Sequence, residues 1–218
     1  MSADPRTRRH ATPLPVALGL IVLLIIGIKV FEDVITEDSG PIDTAVLWFI
    51  RQHTSPALTD FFSLVTATGA GLFLVPATIM LTAIFLAFNH RREALLLASA
   101  MACAGISTYA IKALVNRSRP DLWGAAWYSS SSFPSGHTLC TTVLATALVL
   151  CVARVWPATR YLALPLAALW VALVALSRLV LGAHWPSDVL AAAVLGVFIP
   201  LAISTFIDRH PQRWLRRI

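Results

Sequence analysis

Unbroken apolar runs constrain this chain before any motif does. Hydrocarbon offers backbone N–H and C=O groups no partner, so such runs must satisfy them internally, as helices do. About 20 apolar residues suffice for a helix to cross a bilayer. Six spans follow: Leu14–Phe31, Leu58–Phe88, Ala94–Leu114, Thr138–Val155, Tyr161–Leu181 and Val189–Ile207. The second is longer than a bilayer requires. Gly69, Gly71 and Pro76 mark its first part as interfacial or bent. Pro165 and Pro200 are candidate kinks in the last two, which neighbouring helices tolerate. Only 13% of the 218 residues are charged, about half the ~25% of a soluble domain. The mean hydropathy is +0.75. The expected fold is therefore all-α and polytopic, with residues 1–218 as one transmembrane domain. The start "RTRRH" followed by an apolar core resembles a signal peptide. No small-residue cleavage site follows it, which makes it an uncleaved first span.

Loop charge gives the orientation. Arg6, Arg8, Arg9, Arg91, Arg92, Arg154, Arg160, Arg209, Arg213, Arg216 and Arg217 all fall on one side, eleven of the 17 basic residues. The positive-inside rule makes that side cytoplasmic, with the basic termini 1–13 and 208–218 inside. Most acids, among them Glu32, Asp33, Glu37, Asp38 and Asp43, fall outside. The net charge of +6 does not indicate nucleic acid, because the basic residues sit at span ends without interleaved stacking aromatics. Cys103, Cys140 and Cys151 lie in or beside apolar runs at no metal-ligand spacing and are expected to be small buried hydrophobes. Trp48, Trp123, Trp127, Tyr128, Trp156 and Trp185 fall near span boundaries, as interfacial anchors do; Trp127 or Trp185 at a lipid entrance is the sharper alternative.

The remaining cations oppose the topological preference. Lys29 can snorkel from the end of its span. Arg51 ends "PIDTAVLWFIRQH", an amphipathic stretch expected to be a surface-lying connector or, more sharply, a lid over a substrate. The other four fall in two stretches, "KALVNRSRP" (112–120) and "SRLVLGAHWPSD" (177–188). With "PSGH" (134–137), these converge on the outer face.

Each piece has a bland reading. "PSGH" alone is a helix cap, "RSRP" a solvated turn, and His184 with Asp188 an interfacial hydrogen bond or half a metal site. Together they describe an anion site. Lys112, Arg119 and Arg178 have few acids nearby in sequence, and guanidinium forks suit phosphate oxygens. Lys112 and Arg119 are about two helical turns apart if the helix continues, which Pro120 and its loop oppose. The N–H groups of Ser135, Gly136 and His137 at a helix start are expected to face a phosphate, and Gly136 lets the backbone approach it. Pro186 suits a first helical position. Asp188, four residues after His184, can fix one imidazole nitrogen and leave the other to attack, while His137 protonates the departing oxygen. Asn116, Arg117 and Asp121 interleave with these residues as supporting candidates.

These three stretches are similar to the signature of the phosphatidic acid phosphatase type 2 superfamily, K-x6-R-P, P-S-G-H and S-R-x5-H-x3-D, with every fixed position filled. The resemblance implies that His184 forms a phosphohistidine, Asp188 orients it and His137 is the general acid. It implies phosphate binding by Lys112, Arg119, Arg178, Ser135 and Gly136, with no metal and no cofactor. The expected protein is a lipid phosphate or lipid pyrophosphate phosphatase, its site on the extracytoplasmic side of a bacterial cytoplasmic membrane. Phosphatidic acid, phosphatidylglycerol phosphate and undecaprenyl diphosphate all suit it as membrane substrates. A phosphotransferase on the same site is the enzymatic alternative. An anion transporter or channel is the alternative of another class, and it leaves the two histidines and Asp188 unexplained. The sequence is silent on oligomeric state.

Overall fold

The computed structural model describes residues 14–36, 40–121 and 130–210. Those residues form eight α-helices and one 3₁₀ turn, without strands. In chain order these are α1 (Leu14–Ile35), α2 (Gly40–Gln52), α3 (Pro56–Ala67), α4 (Gly71–Ala87), α5 (Arg91–Val115), α6 (Gly136–Val155), the turn Pro157–Thr159, α7 (Arg160–Val180) and α8 (Pro186–Arg209). Four segments are long and apolar enough to cross a membrane by themselves: α5, α6, α7 with its preceding turn, and α8. The protein is thus an all-helical, multi-pass membrane protein.

The run Leu58–Phe88 is not one straight span. It divides into α3 and α4, bent by 40° at Thr68–Ala70, and counts as a fifth span if the bent pair is one crossing. Local chemistry sets the break. Thr68 bonds back through Oγ1 to the carbonyl of Val65 at 2.8 Å, and its N–H returns to the last turn of α3. Gly69 then packs too closely for a side chain: an added Cβ would lie 2.6 Å from Cγ1 of Val174 and 3.5 Å from Cβ of His137. The expected kinks at Pro165 and Pro200 do not interrupt α7 or α8, each of which is continuous through its proline.

Helix α6 lies at the centre, packed against α5, α7 and α8. Its buried Leu139, Val143, Leu144, Ala147 and Cys151 join Leu96, Leu97 and Ala100 of α5 and Ala192 and Ile199 of α8 in one core. Cys151 therefore behaves as the expected small hydrophobe, and Cys103 and Cys140 pack half-buried at its edge. The outside is apolar as well: Ile21, Val22, Ile25 and Ile28 on α1, and Leu162, Leu166 and Leu169 on α7 are exposed. Such side chains cost nothing against lipid tails, so helix association here depends on close packing.

That packing is tightest where α8 crosses α6. A Cβ at Gly196 would stand 2.6 Å from Cβ of Thr142 and 3.1 Å from the Leu139 carbonyl. Gly196→Ala should therefore destabilise the protein by about 1–3 kcal/mol through overpacking. The check is a lowered Tm in detergent, whereas Gly19→Ala, with nothing within 4 Å of its added Cβ, should leave Tm unchanged.

Candidate active site

Three helix ends build the site. The first is the end of α5, where Lys112 lies in the last turn and Asn116 closes the helix in the left-handed conformation (φ 45°). That reversal sends Arg117–Asp121 back across the face of the bundle, so Lys112 and Arg119 do not share one helix. Lys112 donates through Nζ to the Ser131 carbonyl. Arg119 is clamped by carbonyls: Nε donates to Ser130 at 2.9 Å and a terminal nitrogen to Ala183 at 2.6 Å.

The second is the start of α6. Ser135 is its N-cap, its Oγ 3.5 Å from the Thr138 N–H and 3.0 Å from Thr138 Oγ1. The expectation of three free N–H groups needs correction at Ser135, whose N–H donates to the Asp188 carbonyl at 3.3 Å. Gly136 and His137 occupy the first turn, where no earlier carbonyl of the helix reaches their N–H groups. His137 lies within electrostatic reach of Arg178, His184, Arg119 and Lys112.

The third is the turn from α7 to α8. Arg178, in the last turn of α7, is buried and donates to Thr66 Oγ1 of α3 at 2.6 Å. Gly182 adopts φ 62°, a region that favours glycine, and turns the chain so that Pro186 opens α8. This places His184 between the two neighbouring segments with only 2% of its surface exposed. Its Nδ1 lies 3.5 Å from Asp188 Oδ2 and 3.5 Å from Ser132 Oγ. Its Nε2 lies 3.3 Å from a terminal nitrogen of Arg119. The imidazole therefore has one nitrogen on the carboxylate side and the other on the cationic side. Burial, abetted by Arg178 and Arg119 and opposed by Asp188, lowers the His184 pKa from 6.5 to about 4. The ring is neutral at pH 7, with an unprotonated nitrogen available.

Asp188 has no exposed surface. Its Oδ1 accepts from Arg117 at 2.7 Å; its Oδ2 accepts from the Trp185 N–H at 2.9 Å and from Ser132 Oγ. Four residues that hold the site together are not singled out as site residues by the sequence motifs: Ser132, Arg117, Asp43 and Thr66. Ser132 ends a run of four serines just before the helix start, Arg117 is a supporting candidate, and Asp43 and Thr66 have no assigned role in the sequence. One signal was legible: Arg117 is a cation on the disfavoured side of the membrane. Asp43 is buried together with Leu47 on one face of α2.

Trp185 is committed to the site, with Nε1 donating to the Ser118 carbonyl at 2.9 Å and its ring 5.6 Å from the Arg117 guanidinium. Trp48 and Trp156 are exposed, as boundary anchors are. Trp123, Trp127 and Tyr128, and the basic termini apart from Asp208, Arg209 and His210, lie outside the described residues. Helix α2 docks through Asp43 and Leu47 while Ile42, Trp48, Phe49 and Arg51 face outwards, which makes it a docked connector.

Beside the end of α5 and the start of α6 opens a cavity of ≈ 820 Å³. Lys112, Gly136 and His137 line one end; Thr78, Leu86 and Ala98 line its extension along α4 and α5. Lys112 and His137 thus stand at one end of an apolar cleft inside an all-helical membrane protein, and Arg119, Arg178 and His184 lie within electrostatic reach of His137. That combination suits a molecule with an anionic head and an apolar tail.

The comparisons with known proteins agree. The PAP2 superfamily pattern matches residues 93–211, more than half of the chain, and the chain belongs to that superfamily as a membrane phosphatase of the phosphoric monoester hydrolase class. Phosphatidylglycerophosphatase B of Bacillus subtilis is 26% identical over 198 residues, covering 89% of this chain and 95% of that protein. Decaprenylphosphoryl-5-phosphoribose phosphatase of Mycobacterium tuberculosis is 38% identical over 115 residues, 51% of this chain and 59% of that one. The crystal structure of a transmembrane PAP2 type phosphatidylglycerolphosphate phosphatase from Bacillus subtilis superposes with a TM-score of 0.79 at 22% identity, covering 89% and 98% of the two chains, which establishes a shared fold.

The neutral state of His184 has a consequence for stability. The unfolded imidazole takes up a proton near pH 6.5, the buried one only near 4. Between those values the unfolded state binds more protons, so stability falls as the pH drops through that window. Tm in detergent should decline from pH 7 to pH 5, and His184→Gln should reduce the decline.

Proposed function

We propose that this protein removes phosphate from a lipid phosphate or lipid pyrophosphate at the extracytoplasmic membrane face through a phosphohistidine. The observation that carries this reading is His184 Nε2 set 3.3 Å from Arg119, within electrostatic reach of His137, which with Lys112 lines one end of an apolar cleft. In this reading α1 is a sixth span, both termini are cytoplasmic and the membrane is a bacterial inner membrane. The charge bias of the loops supports that orientation.

The phosphoryl group sits against Arg119, Lys112 and Arg178, with the N–H groups of Gly136 and His137 completing the cradle. Ser135 contributes by holding the helix start. Asp188 keeps the proton on Nδ1, so the lone pair of Nε2 attacks phosphorus. As the N–P bond forms, the bond from phosphorus to the lipid oxygen breaks, and His137 gives that oxygen its proton. Water then attacks the phosphohistidine, His137 recovers a proton from it, and the N–P bond breaks to release orthophosphate. The cations stabilise charge on the equatorial oxygens in both steps.

Substrate class follows from the cleft. From Gly71 to Leu86 its α4 wall covers 16 residues, or 15 helical rises, about 22 Å at 1.5 Å per residue. That depth suits a hydrocarbon tail. Relatives named for phosphatidylglycerol phosphate and for a decaprenyl phosphate sugar fit a diacyl or prenyl chain equally.

Purified protein should release orthophosphate from phosphatidylglycerol phosphate or a prenyl diphosphate. His184→Ala should abolish release, and His137→Ala should lower kcat by about 10²–10⁴-fold. Release that survives His184→Ala would overturn the assignment. Gly105 lines the cleft with nothing within 4 Å of an added Cβ. Gly105→Leu should thus depress kcat/KM for lipid phosphates while sparing a short water-soluble phosphate; equal effects on both would place the tail elsewhere.

A further inference from the structure

Arg117 is a fourth cation at the site, yet its guanidinium faces acids. One terminal nitrogen donates to Asp188 Oδ1 at 2.7 Å and to Ser187 Oγ at 2.8 Å; the other donates to Asp43 Oδ2 at 2.8 Å. Asp43 is itself fixed: Oδ1 accepts from the Ser187 N–H at 2.9 Å and Oδ2 from Ser187 Oγ at 2.5 Å. Both carboxylates are buried, Asp43 with 2% and Asp188 with none of its surface exposed. Two carboxylates and one guanidinium thus form a closed unit that spans 145 residues of sequence, from Asp43 to Asp188, and joins α2 to the start of α8.

This geometry matters because of what Asp188 does in the function proposed above, on which the inference rests. A carboxylate orients an imidazole only if its own plane is held. Ser132 and the Trp185 N–H fix Oδ2, the oxygen that faces His184. The other oxygen, Oδ1, has Arg117 as its side-chain partner at 2.7 Å. Asp43 holds the second edge of the same guanidinium, which prevents Arg117 from turning to join Lys112, Arg119 and Arg178 around a phosphate. A charge-assisted, two-pronged bridge of this kind is both strong and directional.

We infer that Arg117, anchored by Asp43 of α2, is a positioning residue that sets the Asp188 carboxylate against His184 and takes no part in binding phosphate. Arg117→Ala should lower kcat by about tenfold or more, the loss expected of one buried charge-assisted hydrogen bond. KM and inhibition by orthovanadate should stay within about twofold of wild type, because the phosphate cradle is intact. Guanidinium ion added to Arg117→Ala should restore part of kcat. Asp43→Asn should reproduce the loss, and combined with Arg117→Ala it should add less than about twofold, because both act through one bridge.

Rates are to be normalised to protein eluting as wild type on size exclusion. If Arg117→Ala does not fold, Arg117→Lys and Asp43→Asn carry the same test, since lysine keeps the charge but cannot bridge both carboxylates. The inference is overturned by an unchanged kcat, by independent multiplicative losses, or by weakened orthovanadate inhibition with raised KM, which would make Arg117 a phosphate ligand. An inactive wild-type protein on lipid phosphates sinks the functional reading instead, and with it this inference; an active one isolates the bridge.

Discussion

A carboxylate sealed from water is the constraint on which this structure turns. Removing an ionised group from solvent costs several kcal/mol, and the charge is tolerable only with its lone pairs occupied. Asp188 meets that demand with donors from three stretches of chain: Arg117 after α5, Ser132 before α6 and its own helix start at Trp185. Each donor brings a segment with it. The loop carrying Arg117 also carries Arg119, and the stretch carrying Ser132 leads directly into Ser135, Gly136 and His137. One buried charge therefore gathers the groups proposed to face a phosphate.

The helices serve this meeting point in different ways. Central α6 presents small and β-branched side chains to its neighbours, and Gly196 lets α8 approach closely enough for the α8 start to reach the α6 cap. That contact is visible in the Ser135 N–H donating to the Asp188 carbonyl. The bend between α3 and α4 has a related use. It brings Thr66 to Arg178 and Gly69 against His137, while α4 continues as one wall of the cleft. A straight 31-residue helix over the same run would have offered neither.

Much of this was legible from residue order alone. The apolar runs marked the helices that cross the core, because a hydrocarbon environment leaves few alternatives. The three short stretches could be grouped because loop charge assigned them to one face, and cations on that face demand a partner. The break at Thr68–Ala70 was only half legible: glycines flagged it, but the bend depends on Val174 and His137, which are remote in sequence. The Asp43–Arg117–Asp188 bridge was missed for the same reason. An acid on a short amphipathic helix reads as solvated until tertiary packing brings Ser187 over it. Local chemistry announces caps and spans; pairings between distant polar groups are decided by how the helices dock.

The cleft beside the site is walled by Val75, Ile79, Leu86 and Tyr109, side chains that are also exposed on the outer surface of the bundle. In the function proposed above, its mouth faces acyl chains rather than water. A lipid substrate of that proposed function would reach it within the leaflet, and the encounter would be a collision in two dimensions. Occupancy of such a cleft follows the mole fraction of the ligand among its neighbouring lipids, not its amount per litre, so diluting the surface with inert amphiphile empties the cleft even when the bulk amount is unchanged.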